Sequence, residues 1–319
     1  MNSENLVFAI DTSNYTTSVA LLDTDGNLIA NLKKPLDVKP GERGLRQSDA
    51  LFAHTQNIPI LMREARGYLK GRRIATVGVS DKPRNIEGSY MPCFLGGVAA
   101  AESIASALCV PLYRFSHQCG HIMAALYSSG ADELLGEQFA AFHISGGTTE
   151  LLRVNPTSRG FDTELLGGTL DLNAGQIIDR VGVYMGLKFP AGNEMEALAI
   201  TNTQKIPTHK ICIKDMSVNL SGLENLAVKL YDKTADKPLV SAFVLDYISR
   251  SLFAMSSAYE EAFGKTRFVY AGGVMSNSII KENLKKRFDA YFAEPAMSAD
   301  NAVGIAALTL RAYKSEKGL

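Results

Sequence analysis

His117 and His121, in the run Ser116-His117-Gln118-Cys119-Gly120-His121, stand four residues apart. On a helix that spacing stacks two imidazoles on one face, close enough to chelate a single ion. Ser116 is a suitable N-cap, and Ile122, Ala125 and Leu126 keep an apolar helical period, so both histidines fall in the first turns of a helix. Cys119, two residues on from His117, projects elsewhere and is left out of the coordination sphere. A bare His-x-x-x-His is as often a packing or surface pair as a chelate. The start of a helix carries partial positive charge, which opposes a cation, so a metal held here calls for an anionic ligand from another part of the chain. Asp300, in Ser298-Ala299-Asp300-Asn301-Ala302 ahead of the last helix, is the candidate; taken alone it reads more simply as a first-turn carboxylate or an N-cap. Two nitrogens and a carboxylate with open positions suit iron or zinc better than magnesium.

A second group of residues suits a nucleotide. Ser145-Gly146-Gly147-Thr148 lies where a strand gives way to a turn, so its backbone N–H groups can converge on phosphate oxygens, although tight hairpins use the same residues. Ala271-Gly272-Gly273-Val274 follows another buried strand, and Asn277 presents an amide at the start of the next helix. Asp179 falls off the apolar stripe Ile177, Ile178, Val181 and Met185 of a helix over 171–185, free to accept bonds from ribose hydroxyls or simply to face solvent. Pro190-Ala191-Gly192-Asn193 is a turn before a helix, offering backbone contact to a nucleoside or turn chemistry alone.

The elements that must carry these residues follow an α/β pattern. Leu6–Ile10 is an apolar strand, Asp11-Thr12-Ser13-Asn14-Tyr15-Thr16-Thr17 a hydroxyl-rich turn, Ser18–Leu22 a returning strand, and Asp25-Gly26 a hairpin into Asn27–Leu32. Residues 48–70 have a helical period that Pro59 kinks or divides. A buried strand over Ala75–Ser80, a small-residue helix near Leu95–Leu108 and a strand over Val110–Phe115 complete the first half. The pattern restarts with the strand Phe139–Ser145 and the returning strand Glu150–Val154. Helices follow near 171–186, 193–201, 221–231 and 239–263. The chain ends with strand Arg267–Ala271, a helix from Asn277, strand Ala290–Ala293 and a helix from Ala299. The hairpins near 7–30 and 139–160 look like one unit used twice, which predicts a duplicated α/β body of two lobes with a central cleft. Residues 1–112 form the N-terminal lobe, completed by a C-terminal helix at 299–319, and 113–298 form the other.

Bulk properties agree with that division. A length of 319 residues exceeds one typical domain and suits two of roughly 150. With 33 basic and 33 acidic residues there is no global field to draw in nucleic acid or membrane, so such binding needs a local patch. Arg63, Arg66, Lys70 and Arg73, with Arg72 beside them, would set cations along one helical stripe; a solvated face is preferred to phosphate binding there. Met1-Asn2-Ser3-Glu4-Asn5 has no basic n-region, and no apolar run approaches the ~18–20 residues that span a bilayer, so neither a signal peptide nor a membrane partner is expected. Cys93, Cys109, Cys119 and Cys212 are irregularly spaced, which argues against a disulfide framework or a thiolate zinc site and favours the cytoplasm.

In this order, and over almost the full length, the chain resembles the tRNA N6-threonylcarbamoyladenosine transferase family, formerly called O-sialoglycoprotein endopeptidase. The resemblance rests on His117-Gln118-Cys119-Gly120-His121, Ser145-Gly146-Gly147, Gly168-Thr169-Leu170-Asp171 with Gly175 and Asp179, and Phe189-Pro190-Ala191-Gly192. It continues in Asn219-Leu220-Ser221-Gly222-Leu223, Ala271-Gly272-Gly273-Val274 with Asn277, and Asp300-Asn301. It implies the actin-like ATPase fold shared with sugar kinases and hsp70, one divalent metal ion (iron or zinc) on His117, His121 and Asp300, and an adenine nucleotide (ATP, ADP or threonylcarbamoyl-AMP). His143, Ile144, Ser145, Gly146, Gly147, Asp179, Gly192 and Asn277 would line the nucleotide pocket. It further implies transfer of threonylcarbamoyl to N6 of adenosine 37 in tRNA, with tRNA, a smaller actin-fold paralogue and an ATPase as partners.

Three departures mark a divergent paralogue. The family's first turn reads Glu-Thr-Ser-Cys-Asp-Glu-Thr, whereas Asp11–Thr17 has neither internal carboxylate. Asp81-Lys82-Pro83-Arg84-Asn85-Ile86-Glu87-Gly88-Ser89 stands where the family has a Gly-Pro-Gly loop, and Thr148 replaces a histidine after Ser-Gly-Gly. No catalytic acid or base is assigned. Three activities stay open: an acyltransferase, a nucleotide-binding regulatory paralogue without turnover, and an ATP-dependent kinase of the same fold with Asp11 at its metal–phosphate. A zinc peptidase is not among them, because His117–His121 lacks the glutamate of His-Glu-x-x-His.

Overall fold

Leu6-Val7-Phe8-Ala9-Ile10 is apolar at every position because the strand it forms is covered on both faces; all five residues are fully buried. That strand is the first of a computed structural model that describes residues 5–13, 15–37 and 45–318. In chain order the elements begin β1 (Asn5–Asp11), β2 (Thr16–Asp23), β3 (Leu28–Pro35), α1 (Gln47–Leu69), β4 (Arg73–Lys82), α2 (Phe94–Leu108), β5 (Leu112–Ser116) and α3 (His117–Ser129). They continue with β6 (Phe139–Ile144), β7 (Thr149–Thr157), β8 (Gly160–Gly168), α4 (Ala174–Tyr184), α5 (Gly192–Ile200), a short ribbon of β9 (Ile213–Lys214) and β10 (Ser217–Val218), α6 (Ser221–Thr234) and α7 (Lys237–Phe263). The last are β11 (Arg267–Ala271), α8 (Ser278–Lys285), β12 (Asp289–Phe292), α9 (Pro295–Ser298) and α10 (Val303–Lys317).

The chain divides into two units. The first holds Met1–Glu137, Asn155–Thr163 and Ala299–Leu319, and the second Gln138–Val154 and Glu164–Ser298. The first boundary thus falls after Glu137 rather than after residue 112, because α3 packs on the closing helix α10 and stays with the first unit.

In the first unit the sheet order is β3-β2-β1-β4-β5. β1 pairs antiparallel with β2 and parallel with β4, and β4 pairs parallel with β5. Leu6, Phe8 and Ile10 pack with Leu61 and Ala65 of α1 and Ala101 and Ala105 of α2. Helix α10 contacts β1, β2 and β4. Helix α1 runs through Pro59 without a break. Pro59 is exposed, so the Thr55 carbonyl that loses its N–H partner can be solvated. The helix stops at Leu69, so Lys70 and Arg73 leave it and the expected four-cation stripe is not continuous.

The second unit repeats the plan in the order β12-β11-β6-β7-β8. β6 pairs antiparallel with β7 and parallel with β11, which pairs parallel with β12. Strand β8 has no counterpart in the sequence reading. It is an edge strand of irregular burial, so Gly160–Gly168 shows no alternation. Helix α7 is long and apolar enough to cross a bilayer by length and composition, contrary to the expectation of no such run. Its Val240, Val244, Ile248, Leu252, Met255 and Tyr259 are buried in one cluster with Phe142, Phe268 and Tyr270. Its apolar length is thereby accounted for as a core helix.

Candidate functional site

β5 runs directly into α3, with Ser116 ending the strand and its hydroxyl accepting the Cys119 N–H at 3.2 Å to cap the helix. His117 and His121 therefore sit in the first two turns, at the carboxyl end of the parallel part of the sheet. Helix α10 crosses α3 at two glycines. A Cβ on Gly304 would lie 1.8 Å from the Gly120 carbonyl oxygen, and one on Gly120 would lie 2.9 Å from Ile305 Cδ1. The glycine inside the His-Gln-Cys-Gly-His run is thus the contact that lets the residues ahead of α10 reach the histidines. Asn301 Oδ1 accepts the Val303 N–H at 2.9 Å, and so takes the role at the start of α10 that Asp300 alone could have filled. α10 begins at Val303, four residues after the expected start, and Asp300 lies in the preceding turn.

The Asp300 carboxylate faces both rings. Its Oδ1 is 3.4 Å from His121 Nε2 and 3.7 Å from His117 Nε2. One ligand atom from each of the three residues lies within 4.8 Å of the others, a spacing that fits a single divalent ion. The side chains are 12%, 4% and 18% exposed for His117, His121 and Asp300, so the donors are sheltered but not sealed. The donor set also fits a metal chemically: two imidazoles and one carboxylate, with no thiolate. Cys119 is buried one residue from Gln118, and burial pushes its thiol up to about 11, which keeps it protonated.

Asp11 is the site residue that spacing alone did not reveal as such. It ends β1, is fully buried, and its Oδ2 is 2.8 Å from His117 Nδ1. Burial pulls its carboxyl up, but the charge and hydrogen bond of His117, with bonds from Ser13, overcome this and hold it down at about 2. An ionised carboxylate can only accept, so His117 Nδ1 donates, and in the neutral ring Nε2 is the nitrogen that carries the lone pair on the Asp300 side. This is the carboxylate–histidine pairing that orients metal ligands. His117 is held above its ordinary value: burial lowers it, and the charge and hydrogen bond of Asp11 outweigh that. His121 moves the other way, lowered by burial and by the neighbouring His117 charge, and so favours the neutral ligand form. Asp300 is raised by burial but lowered further by its bond to His121 and the charges of both histidines. After β4, the loop that replaces the family's glycines touches the same helix, since Pro83 O accepts the Gln118 N–H at 3.0 Å. Asn14 of the first turn lies outside the described residues.

The nucleotide candidates all fall in the second unit. Gly146 and Gly147 are exposed, and a Cβ on either would meet nothing within 4 Å, so their backbone is open to a ligand. Gly175 and Gly272 are the opposite case. A Cβ on Gly175 would lie 2.7 Å from both Gly146 N and Ser145 O, and one on Gly272 (φ +96°) would lie 2.4 Å from Ile144 O. Gly175 thereby lets the start of α4 press onto the Ser145-Gly146-Gly147 turn, and Gly272 lets the end of β11 close on the last residues of β6. Asn173 and Gln176 close a capping box on α4. His143 and Ile144 are buried within the unit, so of the run 143–147 only the glycine turn and part of Ser145 are exposed.

Asp179, expected to be free, has one oxygen engaged: Oδ1 accepts the Ala191 N–H at 2.8 Å and ties α4 to the turn before α5. Burial raises its carboxyl, and the Ala191 bond only partly opposes that. It thereby positions Gly192, whose own Cβ position has only Ile178 Cγ2 at 4.0 Å. Asn277 Oδ1 is also taken, capping α8 through the Ile280 N–H at 3.1 Å. Asp171 binds two further motifs together by accepting from Leu172 N, Leu220 N and Ser221 N, and from Ser221 Oγ at 2.6 Å.

The duplicated sheets and their helices define a class of fold. The chain is similar to HypF from T. kodakarensis (TM-score 0.65, 11% identity, 98% of this chain), although it spans only 48% of that protein. It is also similar to the activator of 2-hydroxyisocaproyl-CoA dehydratase from Clostridium difficile with bound ADPNP (TM-score 0.57, 13% identity, 98% of each chain). At such identities the likeness shows the fold alone, and that fold is the actin-like ATPase fold. Sequence comparison is more specific. A model of the TsaD family, tRNA N6-adenosine threonylcarbamoyltransferase, matches residues 34–307. The enzyme of that name from Streptococcus sanguinis is 29% identical over 295 residues, covering 88% of this chain and 83% of the relative. The chain belongs to the tRNA N6-adenosine threonylcarbamoyltransferase family.

Proposed function

We propose that this chain is a metal-dependent acyltransferase that takes threonylcarbamoyl from its adenylate and delivers it to the N6 amine of adenosine 37 in tRNA. The observation that carries the reading is the convergence of His117, His121 and Asp300 ligand atoms within 4.8 Å, in a chain of this family. His117, His121 and Asp300 hold iron or zinc, with Asp11 fixing the His117 ring. A divalent ion there supplies Lewis-acid stabilisation of negative charge on acyl or phosphate oxygens. The backbone N–H of Gly146 binds phosphate oxygens, joined by that of Gly147 when it leaves Ser145 Oγ, while the Ser145 N–H holds the turn closed on Thr148 O; the remaining oxygen of Asp179 accepts a ribose hydroxyl. Gly192 admits the nucleoside close to the backbone, Asn277 offers its amide nitrogen, and His143 and Ile144 support the turn from beneath. In the transfer the adenosine amine forms a C–N bond to the carbamoyl carbon, the carbonyl carbon–phosphate oxygen bond breaks, and AMP leaves while the amine loses a proton. The reaction belongs to the cytoplasm, with a smaller actin-fold paralogue and an ATPase as partners.

Purified metal-loaded protein, given threonylcarbamoyl-AMP, tRNA and the family's partner proteins, should yield N6-threonylcarbamoyladenosine in nucleoside digests read by mass spectrometry. Absence of product with all components present would overturn the transfer.

A second reading has its own support. Tyr15 and Thr16 stand where the family has two carboxylates, and Thr148 where it has a histidine, which suits a regulatory paralogue that binds nucleotide without turnover. Thermal stabilisation by ATP or ADP with no product favours it, and turnover removes it. The kinase alternative loses ground, because the Asp11 carboxylate it would need is bonded to His117.

A further inference from the structure

Between Glu196 and Asp215 the chain carries no acidic residue, whereas Lys205, His209, Lys210 and Lys214 fall in that stretch. In a chain with 33 basic and 33 acidic residues, such a run is a local field on a neutral whole. The stretch leaves α5 as irregular backbone, ends in β9 and lies wholly in the second unit. Its apolar residues anchor it: Ile206 and Ile211 pack against the core of the unit, as does Met216 just beyond β9. The His209 ring meets Phe243 of α7 edge to face, with 5.6 Å between centroids, and the His209 carbonyl oxygen accepts from Arg250 at 2.7 Å. Lys205, Lys210 and Lys214 are all exposed, and none has an ion pair or hydrogen bond among the described residues. Two nearby acids are engaged elsewhere, since Asp236 caps α7 and binds Gln204, and Asp246 pairs with Arg250. Asp215, next to Lys214, is exposed and offsets one of the three charges.

This basic loop has a fixed place beside the glycine turn of the same unit. Thr149 directly follows Ser145-Gly146-Gly147-Thr148, and its carbonyl oxygen accepts the Thr169 N–H at 2.9 Å. Thr169 bridges Val218, whose carbonyl oxygen accepts the Leu170 N–H at 2.9 Å, and Val218 pairs with Ile213. Three strand spacings, about 15 Å, thus separate the turn from β9. A Cβ on Gly167 would lie 2.2 Å from Met216 O, so a glycine lets the ribbon press onto β8. Asp215 and Met216 are both left-handed (φ +47° and +59°), which folds β10 tightly back on β9.

Resting on the acceptor reading above, we propose that Lys205, Lys210 and Lys214 form a phosphodiester-binding surface for the tRNA that presents the adenosine. An enzyme that acts on a base draws it out of the stack and holds the nucleotides beside it. Contacts to the flanking phosphates set the register of the nucleic acid without reading its sequence, a duty that suits lysine as a flexible point charge. The anchored backbone keeps the ordering cost of binding low. Arg63 and Arg66 of α1 are exposed cations too, but their helix leads into the amino end of β4, the end of that sheet opposite its side-chain site.

The test uses full-length protein and fluorescein-labelled tRNA, titrated by anisotropy at several salt concentrations, with the family's partner proteins added if wild type alone does not bind. Replacing all three lysines (Lys205→Gln, Lys210→Gln, Lys214→Gln) should weaken binding about tenfold at about 0.1 M salt and lower the slope of log affinity against log salt by about two, at roughly 0.7–0.9 per phosphate contact. Arginine at the same positions should restore binding, and the melting temperature should not change in either variant. Arg63→Gln with Arg66→Gln should alter tRNA affinity by less than about twofold. Cys212, exposed within the loop, should be alkylated more slowly when tRNA is bound, whereas exposed Cys109 should not. Equal tRNA affinity in wild type and the glutamine variant, or equal alkylation of Cys212 with and without tRNA, overturns the inference and leaves the acceptor reading standing. The same loss in the Arg63 and Arg66 variant marks a general charge effect and also overturns it. A glutamine variant that melts early shows a structural loop, and one that loses only a partner protein assigns the surface to that protein; either overturns the tRNA contact. Wild type that binds no tRNA even with partners overturns the acceptor reading, and this inference with it.

Discussion

The two units are built on the same strand order, yet they make their candidate sites from different material. In the first unit the sheet runs β3-β2-β1-β4-β5, and the residues that meet at its carboxyl end are side chains: Asp11, His117, His121 and, from the turn before α10, Asp300. In the second the order β12-β11-β6-β7-β8 is equivalent, but what its strand ends expose is backbone, in Gly146 and Gly147. A side-chain site fails when a functional group is removed. A backbone site fails when a methyl group is added. Substitutions at the two should therefore separate cleanly.

The largest effect is expected from His121→Ala. Loss of one nitrogen donor from three should weaken metal binding by a hundredfold or more on the scale of ligand and outer-shell losses, about 2.7 kcal/mol. Metal content after dialysis against a weak chelator checks it. Retention of one equivalent of metal by the variant would break the assignment of His121. Gly304→Ala comes next. Its Cβ would be 1.8 Å from Gly120 O, a backbone atom that cannot rotate aside. Forcing the helices apart should cost about 1–3 kcal/mol of stability and weaken metal binding, although Gly304 bears no ligand. Denaturant melts with metal titrations read both, and a variant as stable as wild type would refute the close crossing of α3 and α10.

In the second unit a pair of substitutions sharpens the contrast. Gly175→Ala puts a methyl 2.7 Å from Gly146 N and Ser145 O and should destabilise the unit by about 1–2 kcal/mol. Gly146→Ala enters open space, should leave stability within about 0.5 kcal/mol, and should still weaken ADP binding severalfold. If Gly146→Ala binds ADP as wild type does, the glycine turn is not a phosphate contact.

What was legible in the sequence follows the same division. His117 and His121 could be read because a side-chain pair has a spacing, and because Ser116 and the apolar period after it mark a helix start. Asp300 could be named but not distinguished from a cap, since only the structure shows Asn301 bonding the first N–H of α10. From sequence Asp11 is a turn carboxylate that a kinase would use at its metal–phosphate, because its partner lies 106 positions away and leaves no local pattern. The need for Gly120 leaves no local pattern, for the contact that requires it comes from Gly304. The duplicated hairpins were readable from apolar runs and turns, whereas the edge strand β8 carried no alternation to read. Asp179 and Asn277 can be named from sequence, but not the bonds by which Ala191 and Ile280 draw on them.

The subtlest change, a drift of stability with pH, is the one that tests whether Asp11 belongs with the side-chain site. In metal-free protein His117 is held above its ordinary value, chiefly by Asp11 against burial, so their attraction is complete below about pH 6.5, the unfolded value. It fades as the pH climbs through the raised folded value. Asp11, held at about 2, contributes above its unfolded value of about 3.9 and loses that contribution as the pH falls toward 2. Metal-free wild type should therefore lose a little stability between pH 6.5 and 8. Asp11→Asn should be less stable at pH 6 and flatter over that range, so that the difference between the two narrows as the pH rises. Metal affinity should move the other way, because removing the His117 proton frees the ring for the ion. At pH 8 Asp11→Asn should still bind metal, but about ten to a hundredfold more weakly, as expected for loss of an orienting carboxylate. Chelator-treated melts at several pH values, set beside zinc titrations, measure both. A variant that matches wild type in both would make Asp11 a buried strand residue and no part of the site.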